Sequence, residues 1–251
     1  MLTPARRRPP RFLVPVAIAL ALVAQTLQAA DPPGVNSGTG PAVTSPEGTT
    51  AAPSTEASPD VTAKFLQAAQ KFEEARAGSA AAVAPAQAAF KDLLASDPSN
   101  PLFMAYYGST FAMQARDGGA PWQKIGWVHK SIDNIDRALS LLGPQHDTQT
   151  LRGVPISLET RLVAIATYVP LPSLFNRMDV ARQQLAIVMG GPLFASASTE
   201  LRGRFFYEDA LIARADGDSE HERRSLRQVL NYAPPSLNLN EVRGELAKLG
   251  G

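Results

Sequence analysis

Ala86-Gln87-Ala88-Ala89-Phe90-Lys91-Asp92-Leu93-Leu94-Ala95-Ser96-Asp97-Pro98 is the stretch on which the fold turns. Ala86, Ala89, Phe90, Leu93 and Leu94 recur at intervals of three and four, the period of one helix face. Asp97-Pro98 closes the segment, because proline cannot continue a helix. The spacing predicts a helix opened by Pro85. The same order returns at Ser131, Ile135, Ala138 and Gly143-Pro144: a small residue, a bulky one four on, a small or apolar one three further, then a breaker. It returns at Ala181, Leu185, Val188 and Pro192, with the breaker one place early, and at Glu222, Leu226, Val229 and Pro234. Each copy sets three positions on a stripe that one helical hairpin cannot bury by itself, which is how stacked repeats read in sequence.

The segments between these copies have the same period. Phe65, Leu66, Ala69 and Phe72 fall on one face of a first helix that ends near Gly78. Asn100 is placed to cap a third helix, with Pro101 in its first turn, running past Tyr107, Gly108, Phe111 and Met113 to Asp117-Gly118-Gly119. A fourth spans Pro121 to Leu142 and exceeds its neighbours by about three turns. A fifth, Ser157 to Tyr168, stops at Pro170-Leu171-Pro172, and a sixth, Met178 to Met189, at Gly190-Gly191-Pro192. Two more cover Ser198 to Asp216 and Glu220 to Asn231, and a short amphipathic cap runs from Asn240 to Leu249. No segment alternates as a strand does. The expected fold class is all-α, built of antiparallel helical hairpins.

Tyr107, Gly108 and Phe111 in a first helix, with Phe206, Ala210 and Ala213 in the last pair, resemble the bulky, small, aromatic pattern of the tetratricopeptide repeat (TPR) family. The resemblance spans Val61 to about Pro234 and implies a TPR-like α-solenoid whose concave face, lined by first helices, holds extended peptides. Pro121-Trp122-Gln123-Lys124, Asp133 to Leu139 and Leu171 to Arg177 resemble a group of poorly characterised bacterial proteins, which implies no activity. The competing architecture is an irregular helical bundle, because bundles share the apolar period.

The start of the chain has a different character. Basic residues through Arg11, an apolar run from Phe12 to Ala24 and small residues at Ala29-Ala30 give residues 1–30 the form of a cleavable secretory signal. The run is too short to span a bilayer, and Pro9-Pro10 separate the arginines from Phe12-Leu13, so the general secretory route is expected rather than the twin-arginine one. Residues 31–60 are rich in Pro, Ser, Thr and Gly and are expected to be a disordered linker, leaving 61–251 as the folded domain. The product would be periplasmic or secreted. The absence of cysteine excludes disulfides, thiolate chemistry, Cys-ligated zinc and a lipidated N-terminus. A net charge of +1 gives no broad basic field for nucleic acid.

Chemistry-bearing constellations fail on residue type or spacing. His129, His146 and His221 lie in separate elements, and His221-Glu222 lacks the second histidine of a zinc-protease helix because Ser225 stands four on. No phosphate-cradling glycine loop or nucleophile elbow occurs, and Asp133 with Asp136 reads as a solvated face. No catalytic site, metal or cofactor is expected. The expected function is a scaffold that binds a protein or peptide partner in the bacterial envelope. Its candidate contacts are Ala105, Ser109 and Met113 (with Ala112) on the groove side of the third helix, and Trp122, Lys124, Trp127 and Lys130 at the start of the fourth. The opposing reading puts both tryptophans in the core. An alternative function is small-ligand binding or catalysis in a pocket between the fourth and fifth helices, where Trp127, Arg161 and Tyr168 would converge. A third is self-association, against which the amphipathic cap argues.

Overall fold

The structure, a computed structural model, describes residues 55–250. Residues 1–54, which hold the expected leader and most of the expected linker, lie outside the described residues, as does Gly251. Eleven helices are present among the described residues: α1 (Pro59–Arg76), α2 (Ala80–Ser96), α3 (Pro101–Asp117), α4 (Pro121–Leu141), α5 (Gln145–Thr148), α6 (Ile156–Tyr168), α7 (Met178–Met189), α8 (Pro192–Ser196), α9 (Thr199–Asp216), α10 (Ser219–Tyr232) and α11 (Leu239–Lys248). Short connectors join α1 to α2, α3 to α4 and α9 to α10, so each pair folds back on itself. α3 packs against α6 as well as against its own partner α4, and α6 makes a smaller contact with α9.

The repeated stripe explains why these helices pair. Ala86, Phe90 and Leu93, then Ser131, Ile135 and Ala138, then Ala181, Leu185 and Val188, then Glu222, Leu226 and Val229 are all buried. Close approach is written in glycine: a Cβ built on Gly108 of α3 would lie 2.9 Å from the Cβ of Asn134 and 3.0 Å from Cγ1 of Ile135 in α4. Asn100 caps α3 as its sequence position implied, accepting from the backbone N–H groups of Leu102 and Phe103 at 3.1 and 3.2 Å. The first two pairs share an aromatic centre of Phe65, Phe72, Phe90, Phe103 and Tyr106, in which Tyr106 stacks on Phe90 with centroids 4.6 Å apart.

Four details differ from the sequence reading. Pro85 lies inside α2 rather than opening it, because the alanine-rich run from Ala80 has the helix propensity to start the helix earlier. A three-stranded sheet exists where none was expected: β1 (Thr55–Glu56), β2 (Gln149–Leu151) and β3 (Val154–Pro155), with β1 parallel to β2 and β2 antiparallel to β3. Strands of two and three residues are too short to display alternation. Residues 55–60, expected to end the linker, hold β1 and the first two residues of α1. The Glu56 carboxylate fastens this end, accepting from Thr150 Oγ1 at 2.6 Å and from the backbone N–H groups of Arg152 and Gly153 at 2.7 and 3.1 Å. These bonds, Thr150's first, hold the Glu56 carboxyl below its ordinary range. The short helices α5 and α8 were also not foreseen.

Candidate functional site

The first two turns of α4 are the place where burial and residue type disagree. From Val128 onward the helix buries Val128, Ile132, Ile135 and Ala138. Before it, Trp122 is 74% exposed and Ile125 50% exposed, and the two are one turn apart on the same face. Leu174, in the 3-10 turn Ser173–Phe175 that follows α6, is 71% exposed. The ring of the adjacent Phe175 meets His129 of α4 edge-on at 5.6 Å, which brings this turn alongside α4 one turn beyond Ile125. Trp122, Ile125 and Leu174 thus mark one side of the molecule with large apolar groups open to water.

The sequence-derived candidates separate here. Trp122 is exposed, so the core reading fails for it. Trp127 is half-buried and packs on the second core cluster, where its ring covers Gly119: a Cβ at that glycine would lie 2.4 Å from the indole. Gly119 has φ +85°, so glycine is needed there on two counts. Lys124 is half-buried, and Lys130 is exposed with its ammonium 5.8 Å from the centroid of the Phe111 ring. Ala105, Ser109 and Met113 do not face an open groove. All three are buried, and Ser109 Oγ accepts from Thr167 Oγ1 of α6 at 2.9 Å. α6 packs on the face of α3 that the sequence pattern offers to a partner.

The residues of the alternative pocket are already engaged. The Tyr168 hydroxyl is buried and donates to Asp136 Oδ1 at 2.7 Å, while Arg161 of α6 turns to Gln184 of α7. Burial and the Asp136 carboxylate raise the Tyr168 hydroxyl far above its ordinary range. Asp136 also pairs with Arg177 at 3.1 Å, so it does not stand free beside Asp133.

Two polar clusters went unseen in the sequence because their members are far apart in it. In the first, Glu159 of α6 is 3% exposed, and its Oε1 accepts from the Tyr106 hydroxyl at 2.7 Å and from Arg152 at 2.5 Å. Arg152, in the turn between β2 and β3, also lies 4.8 Å from the centre of the Phe65 ring. Burial, followed by the nearby Glu159 charge, pushes the Tyr106 hydroxyl up. Arg204 and Glu208 of α9 act on this region, and burial pushes the Glu208 carboxyl up to about 7 against the pull of Arg204 and Arg76. In the second cluster, Asp209 Oδ2 contacts His221 Nε2 at 2.9 Å and accepts from Ser225 Oγ at 2.5 Å. Serine and histidine meet the same carboxylate oxygen. This is not the order of a nucleophile, a base and an orienting acid, in which the base lies between the other two.

Among the described residues no group of His, Asp or Glu is placed to hold a metal ion, and no helix is long and apolar enough to cross a membrane. These features define a helical protein whose helices pack against their neighbours and whose most exposed large apolar side chain, Trp122, stands at the start of α4. No family model matches the chain, and neither a curated protein nor a solved structure matches it.

Proposed function

We propose that the chain is an exported TPR-like scaffold that binds a protein partner in the bacterial envelope through the overhang of α4. The buried stripe that recurs on α2, α4, α7 and α10 supports hairpins stacked as a short solenoid. The secretory form of residues 1–30 and the Pro/Ser/Thr-rich composition of the residues after them support a location outside the cytoplasm.

The observation that carries the binding reading is the 74% exposure of Trp122, one turn from the half-exposed Ile125. Tryptophan is the side chain most enriched among residues that dominate interface energies. Lys124 and Lys130 flank the apolar face and supply a basic rim for an acidic edge on the partner. The docking site is therefore the overhang and the Leu174 turn, not the buried face of α3.

The test is affinity purification of the tagged mature chain from its host's envelope, comparing wild type with Trp122→Ala and Trp127→Ala. The expected result is one protein recovered with wild type and lost with Trp122→Ala, whose melting temperature is unchanged. Trp127→Ala, which removes packing over Gly119, lowers the melting temperature. Recovery of the same protein at the same yield with Trp122→Ala overturns the assignment.

A further inference from the structure

The side of α9 that faces α1 is held by charges rather than by packing. α9 sends Leu201, Phe205 and Ile212 into the core it shares with α6 and α7, and Tyr207 and Ala210 into the core of its own hairpin. The core that holds α1 contains no α9 residue among the described residues, and α1 and α9 share at most a marginal backbone contact. Toward α1, α9 instead presents Arg204 and Glu208, one turn apart on one face. Arg76 of α1 acts on Glu208, while Glu73 of α1, Tyr106 of α3 and Glu159 of α6 act on Arg204.

The charges at this junction balance only while Glu208 is neutral. Arg76 pairs with Glu73, Arg152 pairs with Glu159, and Arg204 stands one turn from Glu200 of its own helix. Burial opposes the Arg204 charge, and Glu73, Tyr106, Glu200 and Glu159 more than offset that burial. Three arginines thus meet three carboxylates. Glu208 is a fourth acid, and its Oε2 is closed off from water with no hydrogen-bond partner among the described residues. Burial pushes this carboxyl up to about 7, against the pull of Arg204 and Arg76.

The other helices packed on α9 bring Glu208 no further counter-charge. Arg182 of α7 pairs with Asp179 and with Asp216 at the far end of α9, and Arg161 of α6 turns to Gln184. On α10, His221 meets Asp209, Glu222 pairs with Arg214, Arg223 pairs with Glu220, and Arg224 and Arg227 are exposed beside Asp209. Glu245 of α11 is taken by Arg214, and Arg202 lies over the Tyr232 ring. Burial, then Glu245 and Glu208, push the hydroxyl of Tyr207 up, so it stays a neutral phenol.

We infer that Glu208 is a proton-operated latch on the last hairpin: neutral, it lets α9 lie against α1, and ionised, it swings α9 and α10 away from α1 until water reaches the carboxylate. A buried carboxylate without a counter-charge costs more than opening a face that has no apolar contact to lose. The movement pivots on Phe205, which stays in the core shared with α6 and α7. Gly190-Gly191 and the short α8, which join the hairpin to α7, take up the rotation. The latch does not rest on the reading of Trp122 as a docking residue.

The chain has no cysteine, so spin labels go cleanly onto Gln67→Cys of α1 and Gln228→Cys of α10, two exposed and uncharged positions. Their separation is measured by double electron-electron resonance on the purified chain at about pH 5 and about pH 8.5, on either side of the Glu208 value. The separation is expected to be short at the lower pH and to lengthen by about 5 Å or more, one helical turn, at the higher. Helical circular dichroism is expected to stay constant, and return to the lower pH to restore the short distance. Glu208→Gln is expected to hold the short distance at both pH values, as is Glu208→Met, a second charge-free variant of similar volume. A separation independent of pH, the same lengthening in the charge-free variants, or loss of helical signal in place of a longer distance would each overturn the latch.

Discussion

The two halves of α4 carry similar side chains and meet opposite fates. In the C-terminal half, Ile132, Ile135 and Ala138 are buried against α3 and α6, and even the small Ser131 is closed off from water. In the N-terminal half, Trp122 and Ile125 have comparable apolar area and leave half or more of it open to water. Burying such side chains is worth about 1.5–3 kcal/mol each, so the packed half stabilises the fold with free energy that the exposed half largely leaves unused. Hydrophobic periodicity reports that a face is apolar; which molecule covers the face is a separate question.

The largest expected effect falls in the packed half. Ile135→Ala should lower stability by about 2–5 kcal/mol in chemical denaturation, because it opens a cavity in the contact with Gly108. At the junction of the halves, Gly119→Ala should cost about 1–3 kcal/mol, since the substitution meets both the positive φ and the Trp127 ring. A loss below about 0.5 kcal/mol there would mean that Trp127 is free to move away, and the overhang would then be no fixed surface.

A smaller effect follows pH. The folded state raises the Glu208 carboxyl from 4.5 to about 7, so between those values the folded chain holds a proton that the unfolded chain releases. Stability should therefore fall as pH rises from about 4.5 to about 7, and Glu208→Gln should reduce that fall in melting temperature. An unchanged pH profile in Glu208→Gln would show that burial of this group does not set the slope. The smallest effect is expected at the overhang itself: Trp122→Ala should move stability by less than about 0.5 kcal/mol. A loss of several kcal/mol would erase the distinction between the halves.

Much of the helix pattern was legible because punctuation and period agree. Asn100-Pro101, Pro121 and Gly143-Pro144 bracket α3 and α4 to within a residue, and the four stripes from Ala86 to Val229 mark positions that are all buried. The small sheet was not legible by alternation, although Arg152-Gly153, both at positive φ, is the kind of two-residue turn that joins short strands. Ala105, Ser109 and Met113 were misplaced because a helix surrounded by neighbours has no free face, and one sequence does not reveal how many neighbours it has. Glu159, Tyr106 and Arg152 were invisible as a group, since only the pairing of α3 with α6 and the turn after β2 brings them together. The exposure of Trp122 was one of two readings in the sequence, and the length of α4 beyond its packed half decides between them.

The most direct test of the central claim is site-specific photo-crosslinking in the host envelope from a reactive residue placed at position 122, with the exposed position 91 of α2 as control. The account predicts one discrete protein adduct from position 122 and none from position 91. Adducts that are absent at 122, or identical from both positions, would contradict it.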